Sequence, residues 1–165
     1  MNELVVTEEQ NKLMTSVLTD LAAQAEAEAV FLGDTSGNIL ACISPPGSET
    51  VQTIAALAAG SFAATRELAK MIGETSFSSI YHKGENSSIF IQTIQGSFLL
   101  LVIFGRGTAV GLVKLYIEKA SQELVPFLNA LVGQKSSDHN KSQPFEMVDG
   151  ADIFKAPTRG ASLSK

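Results

Sequence analysis

Residues 50–73, TVQTIAALAAGSFAATRELAKMIG, decide how the rest of the chain is read. The stretch has no proline, is rich in strong helix formers and closes on Gly73, so it predicts one long helix with a glycine C-cap. At 100° per residue from Ile54, one arc collects Ile54, Leu57, Ala58, Ser61, Phe62, Thr65, Leu68, Ala69 and Ile72, and this arc is expected to face a core. The opposite arc holds Ala56, Ala59, Gly60, Ala63, Glu67 and Lys70. A helix side turned to water normally carries Lys, Glu and Gln, whereas small side chains let another backbone approach closely. Alanine is also simply the best helix former, but Gly60 counts against that reading, because mid-helix glycine costs ~1 kcal/mol relative to alanine. The expectation is a partner-binding surface.

Working outward, Thr7 followed by Glu8, Glu9 and Gln10 reads as a capping box opening a first helix, with inner face Leu13, Met14, Val17, Leu18, Leu21 and Ala25. A strand over 28–33, a turn at Asp34-Thr35-Ser36-Gly37-Asn38 and a returning strand over 38–44 make a hairpin, stopped by Pro45-Pro46. Beyond the long helix, three short strands are expected over 75–83, 88–95 and 97–104. Thr108 reads as the cap of a last helix reaching Val132, with inner face Leu112, Leu115, Tyr116, Leu124, Phe127, Leu128 and Leu131, and a bend at Pro126. The fold class is therefore α+β, with element order α-β-β-α-β-β-β-α and helices packed on a five-stranded antiparallel sheet. Residues 1–132 form the folded domain. Residues 133–165 read as a tail, polar from Gln134 to Gln143 and then apolar and acidic over 144–154.

With 165 residues, 45% of them apolar and 18% charged, the chain can bury a real core, yet no apolar run reaches the ~18 residues of a membrane span. The start lacks the basic head and apolar stretch of a secretion signal, so the expected place is the cytoplasm. Residues 1–132 carry 7 Lys/Arg against 13 Asp/Glu, a balance that argues against nucleic acid as partner. The single cysteine, Cys42, and the distant His82 and His139 provide no disulfide framework and no metal-ligand spacing, and no metal or cofactor is expected. Gly105, Gly107 and Gly111 miss the dinucleotide spacing and read as a tight turn plus helix packing. Cys42 reads as a small buried hydrophobe, and Asp34 as a turn former. The chain has the look of a binding or regulatory module, not an enzyme.

The order of elements and several stretches resemble the Roadblock/dynein light chain family, and within it bacterial regulators of gliding motility. The matching stretches are Ala29-Val30-Phe31-Leu32 with Asp34 and Gly37, Ala59-Gly60 with Ala63-Ala64, and the run from Leu68 to Glu74. They continue with Val102-Ile103-Phe104, Gly111-Leu112-Val113, and Lys119-Ala120-Ser121 with Glu123-Leu124. Arg66-Glu67 and Pro126 depart from the pattern. The resemblance implies a homodimer joined through the third strand, at Phe77, Ser79, Ile80, Tyr81 and Lys83, with the second helices side by side. It further implies that Ala56, Ala59, Gly60, Ala63, Glu67 and Lys70 receive a GTP-bound Ras-like small GTPase, whose hydrolysis the dimer stimulates in cell polarity or motility, at the cell poles. The same family resemblance extends to the tail, where Phe145, Asp152, Ile153 and Phe154 would make a second contact with the GTPase. A scaffold of the same fold that recruits partners without touching hydrolysis is the alternative.

Overall fold

The computed structural model of the chain describes residues 6–45 and 50–139, with side chains as far as Gly133. The elements are α1 (Glu8–Gln24), β1 (Ala27–Asp34), β2 (Ile39–Ile43), α2 (Val51–Met71), β3 (Ser79–His82), β4 (Ser87–Ile94), β5 (Phe98–Gly105) and α3 (Val110–His139). The strands form one antiparallel sheet in the order β2-β1-β5-β4-β3. Central β5 is apolar almost throughout because both of its faces are covered. Phe98, Leu100, Val102 and Phe104 face a core shared with Met14 and Leu18 of α1 and Ile117, Leu124 and Leu128 of α3. Leu99 and Leu101 face a second, smaller core with Ala59 and Phe62 of α2. The period of two along the strand thus divides helices between the two sides of the sheet.

Local chemistry accounts for the turns. Thr7 and Gln10 complete the capping box of α1, the Thr7 hydroxyl accepting from the Gln10 N–H at 3.2 Å and the Gln10 amide accepting from the Thr7 N–H at 3.0 Å. Asp34 organises the first hairpin, accepting from the backbone N–H of Ser36 and Asn38 at 2.9 and 3.0 Å. Gln95 and Gly96, both at positive φ, are the central residues of the turn between β4 and β5, which the Ser97 N–H closes by donating to the Ile94 carbonyl at 3.3 Å. Glu26, exposed just past α1, also sits at positive φ (47°), where a Cβ is strained. Glu26→Gly is expected to stabilise the chain by about 1 kcal/mol, read as a raised urea midpoint at unchanged slope.

The structure corrects several expectations. Helix α3 begins at Val110, so Thr108 is not its cap, and it runs past Val132 to His139, into the polar stretch read as tail. Pro126 lies inside it without ending it. Pro126 is exposed, so the carbonyl of the exposed Gln122 that loses its partner can be hydrated. Leu112 and Leu115 point outward instead of into the core, where Val113 and Ile117 take their place, and Leu13 of α1 is likewise exposed. Strand β3 is shorter than expected, leaving Phe77 and Lys83 outside it. Cys42 is exposed, not buried, because β2 is an edge strand and the Cys42 side chain lies at the margin of the α2 layer, opposite Phe31. A side chain at Gly111 would meet nothing within 4 Å, so that glycine is not demanded by helix packing. The tail positions Phe145, Asp152, Ile153 and Phe154 lie outside the described residues.

Candidate functional site

Helix α2 is the least deeply embedded of the three, and its attachment explains what it leaves outside. At its start, the Gln52 side-chain amide donates to the Gly37 carbonyl at 2.9 Å. A Cβ on Gly37 would stand 2.9 Å from the Ala56 Cα, so the first hairpin can seat the helix only because this position is glycine at φ 89°. At its far end the Gly73 N–H donates to the Lys70 carbonyl and the Glu74 N–H to the Ala69 carbonyl, a Schellman closure with Gly73 at positive φ. Between these ends only Ala59, Phe62 and Ala69 are fully buried. Phe62 meets Phe77 with ring centroids 5.1 Å apart, which fastens the helix to the segment leading into β3.

The outward side differs from the arc drawn from the sequence. Ala56, Gly60, Ala63, Glu67 and Lys70 are exposed as expected, but Ala59 is buried against the sheet. Leu57, Leu68 and Ile72, assigned to the core, are 69%, 59% and 79% exposed, and Met71 beside them 84%. By helical spacing, Ala56, Ala63 and Lys70 occupy one flank, Leu57, Ala64 and Leu68 the other, with Gly60, Glu67 and Met71 along the crest. A Cβ at Gly60 would meet nothing within 4 Å, so its own fold does not require glycine there. The signal available in the sequence is that α2 is apolar nearly all round, which one buried stripe cannot use.

Charge on this surface is sparse and internally paired. Lys70 Nζ stands 2.7 Å from Glu67 Oε1, both side chains well exposed, and the hydrogen bond and charge of Lys70 hold the Glu67 carboxyl below its ordinary value. An exposed pair of this kind adds little to stability. Arg66 is half-buried on the inner shoulder of the helix, its Nε buried without a hydrogen-bond partner among the described residues. Arg106 is exposed in the turn between β5 and α3, its backbone N–H donating to the Asn86 carbonyl at 2.9 Å.

Strand β3 lies at the margin of the sheet, beside α2. Ile80 is buried beneath the helix, so it is the strand's backbone edge, with the half-buried Ser79, that remains available. Tyr81 is on the opposite face, stacked on Phe104 at 6.2 Å, and Lys83 is exposed beyond the strand. Phe77 faces Phe62 and not the edge. Among the described residues no group of three or more His, Cys, Asp and Glu could hold a metal ion, and no helix is long and apolar enough to cross a membrane.

An α-β-β-α-β-β-β-α chain with this sheet order matches the Roadblock/LC7 domain, whose family model covers residues 13–104. The chain belongs to the Roadblock/LC7 domain family. Within that family it is closely related to the MglB gliding proteins. Myxococcus xanthus MglB is 35% identical, with a TM-score of 0.71 over 78% of this chain and 96% of its own. The gliding protein MglB of Thermus thermophilus is 29% identical, with a TM-score of 0.70 over 77% of this chain and 96% of its own. Acanthamoeba castellanii profilin IA, at 15% identity and a TM-score of 0.51, shares the fold alone. No curated protein matches the chain.

Proposed function

We propose that this Roadblock/LC7 chain is a homodimeric regulator that binds the GTP-bound form of a Ras-like small GTPase and stimulates its hydrolysis, in bacterial polarity or motility. The observation that carries the reading is the outward side of α2, apolar or small from Ala56 to Met71 but for the Glu67–Lys70 pair, in a chain 35% identical to an MglB. A helix side of this composition is suited to being covered by protein. The two flanks suit two neighbours. Leu57, Ala64 and Leu68 would meet the second helix of another copy, while Ala56, Gly60, Ala63, Glu67 and Lys70 would meet the GTPase. The edge of β3 at Ser79 and Ile80, with Tyr81 alongside, would join the two sheets, and Phe145 to Phe154 would add a second contact with the GTPase. The site of action would be the cytoplasm, at the cell poles.

An activator can donate an arginine to the transition state or reposition the GTPase's own groups. The second route fits better here, since Arg66 is held on the inner shoulder of α2 and Arg106 belongs to the loop before α3, on another part of the surface. The test mixes the full chain with a Ras-like GTPase loaded with GTP or GDP and follows binding and single-turnover phosphate release. GTP-selective binding with accelerated release is expected, with Arg66→Ala and Arg106→Ala each within about threefold of the parent. A loss of several hundredfold or more without loss of binding, approaching the ~10³ or more of an arginine finger, would overturn repositioning. Binding without any acceleration would instead make the chain a scaffold.

A further inference from the structure

The free edge of β3 has a hydrogen-bonding parity that its inner neighbours fix. In an antiparallel ladder a residue turns its N–H and its C=O to the same side, and the next residue turns them to the other. The Thr93 N–H donates to the Ser78 carbonyl at 2.9 Å, continuing the register in which Ile80 faces Ile91 and His82 faces Ile89. Ser78, Ile80 and His82 therefore turn their backbone groups toward β4. On the far side of β4 the Asn86 carbonyl accepts from the Arg106 N–H at 2.9 Å, so even-numbered residues of that strand bond to β5 and odd-numbered ones to β3, in agreement. The backbone groups left for the free edge of β3 belong to Ser79 and Tyr81. Tyr81 stacks on Phe104 on one face of the sheet, whereas Ile80 lies on the other, in the core beneath α2.

We propose that β3 pairs antiparallel with β3 of a second copy about a two-fold axis at Ile80, an inference that rests on the homodimer reading above and gives it a register. Only residues that turn their backbone outward can form the bonded pairs, so an odd-numbered residue meets an odd-numbered one. Opposed residues point their side chains to the same face of a sheet, so both copies carry α2 on one face of the joined sheet. Centred on Ile80, Ser79 meets the partner's Tyr81 and Tyr81 the partner's Ser79, two pairs that each exchange two hydrogen bonds. Centred on Tyr81 or on Ser79, the strand makes a single such pair, and the buried Ile80 stands against the exposed His82 or the exposed Ser78. The Ile80 register instead sets Ile80 against its own copy, apolar against apolar on the α2 side, which is the favourable cross-strand pairing. The edge is thus complementary to itself in both hydrogen bonding and apolar character.

The test uses the full chain carrying Cys42→Ser, Ser78→Cys and His82→Cys. In the Ile80 register position 78 and the partner's position 82 form a pair without hydrogen bonds between them, with Cα atoms ~4.5 Å apart, within disulfide reach. Within one chain the two positions are ~13 Å apart along the strand, too far to bridge. Both residues are exposed, so the substitutions leave the core intact. Under copper phenanthroline the covalent dimer is expected to form at least about tenfold faster than with Ser78→Cys or His82→Cys alone, whose like positions lie ~13 Å out of register. Sedimentation velocity of the parent chain runs alongside. A chain that sediments as a dimer but whose double variant forms no disulfide, or none faster than the single variants, overturns the register and leaves the homodimer standing. A chain that sediments as a monomer overturns the homodimer reading and the register with it.

Discussion

Phe62→Ala is expected to cost about 3–5 kcal/mol of folding stability, the range for removing a buried aromatic side chain from a packed core. Phe62 is the only large side chain that α2 buries completely, its other fully buried residues being Ala59 and Ala69. Its removal empties the contact with Phe77 and the space above Leu99 and Leu101, which the rigid sheet cannot refill. The measurement is the urea midpoint, with hydrogen exchange alongside it. Faster exchange should be concentrated in α2 and the 74–78 segment, with α1 and α3 little changed, since these pack in the other core. A cost under about 1 kcal/mol would mean that α2 is held by something other than Phe62.

The second large effect is on binding and not on folding. Ala63→Arg should leave the urea midpoint within about 0.5 kcal/mol of the parent, because Ala63 is exposed on α2 and supports nothing beneath it. If a GTPase lies against that flank, a long cation in place of a methyl group forces the surfaces apart or buries an unpaired charge. About a hundredfold loss of affinity is then expected, near 2.7 kcal/mol. Fluorescence anisotropy with the GTP-loaded partner reads the affinity, and sedimentation reads the dimer. Ala64→Arg, on the opposite flank, should instead weaken self-association. Should Ala63→Arg bind as tightly as the parent, the assignment of that flank to the GTPase fails.

Much of the fold is legible in the sequence because local chemistry and tertiary packing agree. Thr7 with Gln10, Asp34 before Gly37, and Gly73 after Lys70 each mark a boundary where the structure has one. Faces are harder to read than boundaries. A helix whose small and apolar residues recur on every side has no clear polar side to orient it, so periodicity puts Leu57 and Leu68 inward and Ala59 outward, the reverse of their burial. The sheet accepts the small side because Phe31, Leu99 and Leu101 already fill the space beneath. The same ambiguity misplaces Leu112 and Leu115 on α3. Cys42 escapes a sequence reading because burial on an edge strand depends on how far the helical layer reaches, which strand periodicity does not encode.

The ring contact between Phe62 and Phe77 has a thermodynamic consequence. It joins the underside of α2 to the segment that delivers the chain into β3, so the helix and the sheet margin are not independent surfaces. A ligand that settles one arrangement of α2 also settles the approach to that margin, and whatever extends the sheet there would prefer the same arrangement. Free-energy linkage requires the effect to be reciprocal: if self-association tightened the hold on a GTPase by some factor, the GTPase would tighten self-association by the same factor.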